Sequence, residues 1–352
     1  MKAKTRLLSA VFLSSALLLG GCAQQKQSAA VPAESKEVNV YTARHYPDVD
    51  DAIYKAFTDK TGIKVNLIKA SGEELIQRLK TEGAGTKADL FFTADAGNLH
   101  AAKEADLLQP FTSPLLEKNI PADLRDKDNA WTGLTMRARI LVYAKDRVNP
   151  AALTSYEDLT KPEWQGKVLV RSSGHIYNQS MLASFIALNG EENAKAWASG
   201  LVANLSRKPE GGDRDQAKAI AAGVGDVAIM NSYYLGQMLL SKDPAEVAVA
   251  RSLGVIFPNQ ATTGTHINVS GAGLVKHAKN AGNATKLLEF LSEPNAQQAF
   301  AEASAEYPAN PSVAPSAVLK GWGDFKRQTI NLSKLGENNK KAVQLFNESG
   351  WK

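Results

Sequence analysis

The sequence predicts an α/β fold of two lobes, each built on a mostly parallel sheet with helices on both faces. Three observations predict this fold class. Short apolar strands alternate with amphipathic helices in the order βαβαβ, and the same alternation starts again after Trp164. About 315 residues follow the N-terminal segments, which is enough for two domains of ordinary size. Two such lobes are expected to form a ligand cleft at the carboxyl ends of their strands.

The first block is predicted from alternating apolar residues, which indicate strands, and from apolar residues three or four positions apart, which indicate helices. A glycine after the last apolar residue is typical of a helix end. The elements, in chain order, are a strand at 38–42, a helix around Ala52, Ile53, Ala56 and Phe57 that ends at Gly62, a strand at 63–67, a helix from near Glu73 to Gly83 and a strand at 89–93.

The second block follows the same pattern and includes a strand that is predicted to return the chain to the first lobe. Its elements are a strand at 168–171, a turn at Ser172, Ser173 and Gly174, helices at 178–188 and 191–198, a strand at 225–230, a helix that carries Tyr233 and Tyr234, the returning strand at 267–275, and a helix around Leu287, Leu288 and Leu291 that Pro294 ends.

The N-terminus has the pattern of an export signal. Lys2, Lys4 and Arg6 precede an apolar run at 7–19, which is short for a permanent membrane span. The run ends in two glycines and Cys22, and these small residues before a lone cysteine resemble the bacterial lipobox, in which the cysteine is diacylated. The alternative is an ordinary signal peptide with an incidental cysteine.

We therefore predict a signal peptide at 1–21 and a flexible tether at 22–36, which is rich in Gln, Ser, Ala, Pro and Lys. Without the signal the chain carries 38 basic and 36 acidic residues, so its net charge falls from +5 to +2. No run of lysine and arginine indicates a nucleic-acid partner. Cys22 is the only cysteine, so no internal disulfide can form.

Phenol side chains occur at three places that each follow a predicted strand. These segments are 41–46, with the sequence Tyr-Thr-Ala-Arg-His-Tyr, 175–177, with His-Ile-Tyr, and 231–234, with Asn-Ser-Tyr-Tyr. Because ligands of α/β proteins bind at the carboxyl ends of strands, we expect these side chains to face the cleft.

Phenols are suitable ligands for Fe³⁺, a small, hard cation that prefers anionic oxygen. A phenol is neutral at pH 7, with an ordinary pKa of about 10, but a trivalent cation can displace its proton. Three tyrosinates neutralise the charge, and a fourth phenolate or an imidazole can fill a further position. Zinc would favour Cys or more His, and calcium or magnesium would favour carboxylates.

Four segments together resemble the ferric-iron-binding proteins of bacterial ABC importers, the FutA/FbpA-like family in its lipoprotein form. They are 41–46, 231–234, Gly-Thr-His-Ile-Asn-Val-Ser-Gly at 264–271 and Glu-Tyr-Pro-Ala-Asn-Pro at 306–311. The resemblance covers nearly the whole mature chain. It implies a type II periplasmic-binding-protein fold, no enzymatic activity, a permease of the inner membrane as partner and a monomer.

The resemblance also implies the ligands. Tyr177, Tyr233 and Tyr234 are the central set, Tyr46 comes next, and His45 completes the site in the FutA branch. Carbonate or citrate is a possible co-ligand. A separate hypothesis is that an arginine near the hinge, Arg137 or Arg139, hydrogen-bonds to ligand oxygens and offsets phenolate charge.

The two lobes are expected to be discontinuous in sequence. The N-terminal lobe is predicted at 37–136 plus 269–315, and the C-terminal lobe at 137–268 plus 316–352. The turn at 172–174 precedes a helix, so its backbone N–H groups either bind an anion or only shape the loop.

Several of these side chains also have a plainer interpretation. A tyrosine pair between a strand and a helix is usually packing. His175 is interpreted as a neighbour of Tyr177 rather than a ligand. Three histidines without partners in the sequence are expected to be structural or exposed, namely His100, His266 and His277.

The charged residues near these segments are assigned ordinary roles. Arg44 is expected to pair locally at the surface, where ion pairs are weak. Capping and solvation are expected to explain two carboxylate pairs, which are Asp89 with Asp95 and Asp213 with Asp215.

Two other functions are weighed against ferric binding. A binding protein for an oxyanion or a small organic solute would use the tyrosines as cleft walls. An exported hydrolase would need an acid–base pair or an activated nucleophile, and the sequence contains no nucleophile elbow, HExxH motif or phosphate loop.

Overall fold

The computed structural model describes residues 35–44 and 46–352. The predicted signal peptide, Cys22 and almost all of the predicted tether lie outside the described residues, and so does His45. Within the described ranges no helix is long and apolar enough to cross a bilayer.

The strands of the described part are β1 (Glu37–Thr42), β2 (Lys64–Lys69), β3 (Leu90–Thr93), β4 (Leu108–Gln109), β5 (Trp131–Ala144), β6 (Val168–Leu169), β7 (Val227–Asn231), β8 (Leu253–Ile256), β9 (Ile267–Val275) and β10 (Tyr307–Pro308).

The α-helices are α1 (Pro47–Thr61), α2 (Gly72–Glu82), α3 (Ala96–Glu104), α4 (Pro114–Asn119), α5 (Ile176–Asn189), α6 (Glu191–Ala203), α7 (Asp213–Ala221), α8 (Ser232–Leu239), α9 (Pro244–Ser252), α10 (Ala281–Ser292), α11 (Pro294–Ser304), α12 (Ala317–Lys320), α13 (Ser333–Glu337) and α14 (Asn339–Ser349).

The long strand β5 connects two groups of strands. The sheet order is β2-β1-β3-β9-β5-β7-β6, with β4 on β9 and with β8 and β10 on β5. The first part of β5, as far as Ala138, pairs with β9, and the part from Arg139 onwards pairs with β7 and β8. Strand β9 lies between β3 and β5, so it returns the chain to the first group as predicted.

The sheet differs from the sequence prediction in one respect. The pairs β1–β2, β1–β3 and β6–β7 are parallel, but all pairs that involve β5 or β9 are antiparallel. The sheet is therefore mixed rather than mostly parallel. Strand β5 was not predicted because almost every residue is buried, on both faces, so it lacks the alternation that marks a half-exposed strand.

Helices cover both faces of each strand group, because alternate strand residues enter different cores. In the first group, Tyr41 and Phe91 pack with helices α2 and α3, whereas Val40 and Phe92 pack with α1, α10 and α11. In the second group, Ile229 packs with α5, α6 and α14, and its neighbours pack with α7 and α8. The predicted α/β fold class with helices on both faces is confirmed.

The local helix signals act as expected. Helix α1 ends at Gly62, which has a φ of 70° in the left-handed region. Helix α2 begins after Ser71, whose hydroxyl and backbone form a capping box with Glu74. Strand β6 stops two residues earlier than predicted, because the Arg171 carbonyl accepts bonds from the side chains of Asn178 and Trp351 instead of from a strand.

We expect the free energy of unfolding to fall as the pH drops below about 6.5, because His266 is buried and neutral. Burial lowers the pKa of His266 to about 3, and the cations of Arg139 and Arg137 act in the same direction. The unfolded chain, with an ordinary histidine pKa of about 6.5, binds a proton that the folded chain excludes.

From the difference between these two pKa values, we expect His266 alone to reduce the free energy of unfolding by about 2 kcal/mol between pH 7 and pH 5. Urea unfolding at both pH values checks it, with His266→Gln as the comparison. The variant should lose about 2 kcal/mol less than the wild type over this interval. An equal loss in both proteins would contradict the assignment.

Candidate functional site: a tyrosine cluster at the strand ends

Three of the predicted tyrosines lie in the first turns of helices that come after parallel strands. Tyr233 and Tyr234 are in the first turn of α8, immediately after β7. Tyr177 is the second residue of α5, which follows β6 across a short turn. Because β6 and β7 run parallel, their carboxyl ends lie at the same edge of the sheet, and both helices begin there.

Two of the phenol hydroxyls lie close together, and a third ring packs beside them. The Tyr177 and Tyr233 hydroxyl oxygens are 3.3 Å apart. The rings of Tyr233 and Tyr234 have centroids 4.2 Å apart and an interplanar angle of 34°. Tyr233 is buried, and Tyr177, Tyr234 and Tyr46 are half-buried. We refer to these four residues as the tyrosine cluster.

Tyr46 is electrostatically coupled to the other phenols. Burial is the main cause that raises its pKa, and charge on Tyr177 or Tyr234 would raise it further. Burial likewise raises the pKa of Tyr177 to about 12 and the pKa of Tyr233 well above its ordinary value. Without a cation these phenols are therefore neutral at pH 7, and an additional positive charge is needed to ionise them.

Arg137 supplies part of that positive charge. Its guanidinium lies 5.3 Å from the Tyr177 ring centroid, and its cation lowers the pKa of Tyr177 and Tyr233 against the effect of burial. Arg137 donates to the Ser270 hydroxyl at 3.3 Å and to the Ala94 carbonyl. Arg137 therefore places a cation beside the Tyr177 ring, and its hydrogen bonding to ligand oxygens stays a prediction.

Arg139, the second predicted arginine, has different partners. Its guanidinium donates to Asp213 at 3.0 Å, to Asn178 at 2.6 Å and to Asn231 at 3.3 Å. Asn178 follows Tyr177 and Asn231 closes β7, so Arg139 fixes the strand and helix ends that carry the phenols.

Arg44 is not a surface residue, contrary to the prediction. It is 3 % exposed and pairs with Asp50 at 2.8 Å and with Glu306 at 3.0 Å. Its guanidinium lies 4.8 Å from the Tyr46 ring centroid, and Asp50 also accepts the Tyr46 backbone N–H at 2.8 Å. Arg44 was expected at the surface because its partner Glu306 is 262 residues away in the sequence.

The predicted carboxylate pairs are also mostly buried rather than solvated. Asp89, Asp95 and Asp213 are each 1 % exposed or less, and only Asp215 is exposed. Asp95 does cap α3, but it also accepts bonds from other elements. Asp213 binds two arginines and a backbone N–H, so a structural ion network explains its burial better than solvation does.

The histidines behave largely as expected. His175 is the N-cap of α5, where Nδ1 accepts the Tyr177 N–H at 3.2 Å. Burial lowers the pKa of His175 to about 4, and its ring lies 4.3 Å from the Tyr177 ring. His100 and His266 are buried, and His277 is exposed.

In the turn before α5, backbone N–H groups donate hydrogen bonds to oxygens of the same turn. Gly174 donates to the Ser172 hydroxyl at 3.1 Å, and the His175 N–H donates to the Ser172 carbonyl at 3.3 Å. These bonds favour the loop-shaping alternative over an anion site. In the described ranges, no group of three or more His, Cys, Asp or Glu side chains could hold a metal ion.

The comparison with protein families identifies the chain. Residues 85–321 match the model of the bacterial extracellular solute-binding proteins. The chain belongs to this family.

This solute-binding protein is similar to known relatives over most of its length. It is 44 % identical to Iron uptake protein A1 of Synechocystis sp., over 95 % of this chain and 93 % of the relative. It is 48 % identical to Iron uptake protein A2 of the same organism, over 91 % of each chain. The solved structure of Trichodesmium FutA in complex with iron and citrate matches with a TM-score of 0.88 and 48 % identity, covering 90 % of this chain and 100 % of that one.

Proposed function

We propose that this solute-binding protein captures Fe³⁺ outside the cytoplasm through tyrosinate ligands and delivers it to an ABC importer. The observation that carries the proposal is the tyrosine cluster, in which phenols of separate elements meet at the strand ends. The names of the relatives support the same cargo, since two are iron uptake proteins and a third holds iron and citrate.

The proposed ligands are Tyr177, Tyr233 and Tyr234, joined by Tyr46 and completed by His45. Three phenolates balance the charge of the ion, and Arg137 offsets the charge of a fourth. Burial keeps the hydroxyls of Tyr46, Tyr177 and Tyr233 neutral in the free protein, so their negative charge appears only when the cation enters. Citrate or carbonate is the proposed co-ligand.

We propose that the two strand groups are two lobes with the cleft between them, at the predicted boundaries. Strand β5 passes from one group to the other and is the natural hinge together with β9. Differential affinity of the closed and open forms for iron would drive closure. The proposal includes no enzymatic step.

The site is proposed to work at the cell envelope. The predicted signal at 1–21, a lipid on Cys22 and the tether at 22–36 would hold the protein near its permease. The protein is proposed to act as a monomer.

A second candidate, an oxyanion or small organic solute, is favoured by one observation. Arg137 and Arg171 both lie over the Tyr177 ring, at 5.3 and 5.5 Å, so the cluster has two cations beside it. In that case the tyrosines would be walls and would keep their protons, which separates the two candidates experimentally.

We expect ferric loading to release protons from the phenols, so iron affinity should fall as the pH falls. Loading of wild type and Tyr177→Phe with excess ferric citrate in weakly buffered solution measures the difference. The variant should release about one proton fewer, because phenylalanine has no hydroxyl to ionise.

Tyr307→Phe is the matched control. Tyr307 is buried, with 5 % of its surface exposed, and its hydroxyl has no hydrogen-bond partner within the described ranges. This control should release as many protons as the wild type. Equal release from all three proteins would contradict phenolate ligation by Tyr177.

A further inference from the structure

Helices α3 and α5 meet at a buried contact that the ligand set does not use. The Ser180 hydroxyl of α5 donates to the Asp95 carboxylate at the start of α3, at 2.6 Å, and both residues are fully buried. The Gly97 backbone of α3 also lies close to the side chains of α5, since a Cβ on Gly97 would lie 3.1 Å from the Ser180 hydroxyl oxygen and 3.2 Å from the Ile176 side chain. Helix α3 packs in the core of the first strand group and α5 in that of the second.

Asp95 joins four elements through one carboxylate. Besides Ser180 it accepts the Gly97 N–H at 2.7 Å and the Asn268 side-chain amide at 2.9 Å, from α3 and β9. Arg137 of β5 lies 3.6 Å away. The Asp95 carboxylate is therefore held rigidly, because any displacement would leave its buried charge with fewer hydrogen-bond donors.

Through its hydrogen bond to Asp95, Ser180 fixes the part of α5 that carries Tyr177. It lies three residues after Tyr177, and residues three apart lie on the same face of a helix. Arg137 faces both Asp95 and the Tyr177 ring. The Asp95 carboxylate therefore holds the helix turn that carries Tyr177 and also the cation beside its ring.

We infer that Ser180 is a positioning residue for Tyr177, acting through its hydrogen bond to Asp95. The inference rests on the proposed function. Ser180 does not touch the ion; it holds the first turns of α5 so that the Tyr177 oxygen stays near the Tyr233 oxygen. Ser180→Ala should lower ferric affinity roughly tenfold, the scale of losing a hydrogen bond to a charged acceptor.

A double-mutant cycle separates positioning from general stability. Ferric affinity is measured by competition with citrate for wild type, Ser180→Ala, Tyr177→Phe and the double variant. If Ser180 acts through Tyr177, its substitution weakens binding roughly tenfold with Tyr177 present and less than about twofold with phenylalanine there.

Ser184→Ala is the matched control, because Ser184 is equally buried in α5 but donates to the Met181 carbonyl of its own helix. It should leave affinity within about twofold. Equal weakening by Ser180→Ala in both backgrounds, or none in either, would overturn the inference while iron binding stands. Failure of the wild type to bind iron would overturn the proposed function, and this inference with it.

Discussion

Replacing Tyr233 and Tyr234 together by phenylalanine is expected to lower ferric affinity by more than about a hundredfold, beyond the 10- to 100-fold typical of outer-shell partners. The two residues supply two of the proposed phenolates, and the Tyr233 oxygen lies 3.3 Å from the third. Competition with citrate measures the affinity, and the visible charge-transfer band should be lost. The fold should persist because phenylalanine retains both rings.

The Tyr307→Phe protein is again the appropriate comparison, since it loses a buried hydroxyl outside the cluster. Its affinity should equal that of the wild type. Comparable affinity in the double variant and in the wild type would show that the phenols are cleft walls. The oxyanion or small-solute alternative would then be the better account.

Asp213→Ala is expected to reduce the free energy of unfolding by about 3–5 kcal/mol, because it breaks a buried ion network from one side. The carboxylate accepts from Arg139 at 3.0 Å and from Arg171 at 3.1 Å, and both guanidiniums lie in the interior or close to it. It also accepts the Asn231 backbone N–H at 2.6 Å, immediately before α8. Iron affinity should therefore fall with stability.

Asp215, two residues along the same helix, provides the control. Its exposed carboxylate accepts only the Gly212 N–H within the described hydrogen bonds, at 2.7 Å. Asp215→Ala should reduce the free energy of unfolding by about 1 kcal/mol, as is usual for the loss of a helix-capping side chain. Urea unfolding of both variants decides the matter, and equal losses would refute the network interpretation.

Much of the first strand group was predictable, because its signals are local. Gly62 and the Ser71–Glu74 capping box end and begin helices where short-range rules expect them. Strand β5 was not predictable in the same way. It is buried on both faces and carries Arg137 and Arg139, so its pattern resembles neither an alternating strand nor an apolar one.

The tyrosine cluster could be anticipated because each phenol follows a strand, and strand ends converge whatever the details of packing. The supporting residues could not. Arg44 hydrogen-bonds to Glu306, which lies 262 positions away in the sequence, and Ser180 hydrogen-bonds to Asp95, which lies 85 positions away. Such partners come together only when the sheet has assembled, and no spacing in the sequence indicates them.

The most direct test of ferric capture through tyrosinates is a visible absorption titration of the purified protein with ferric citrate. Tyrosinate-to-iron charge transfer should give a broad visible band that saturates near about one iron per chain. A folded protein that remains colourless while soluble iron is in excess would contradict the central claim.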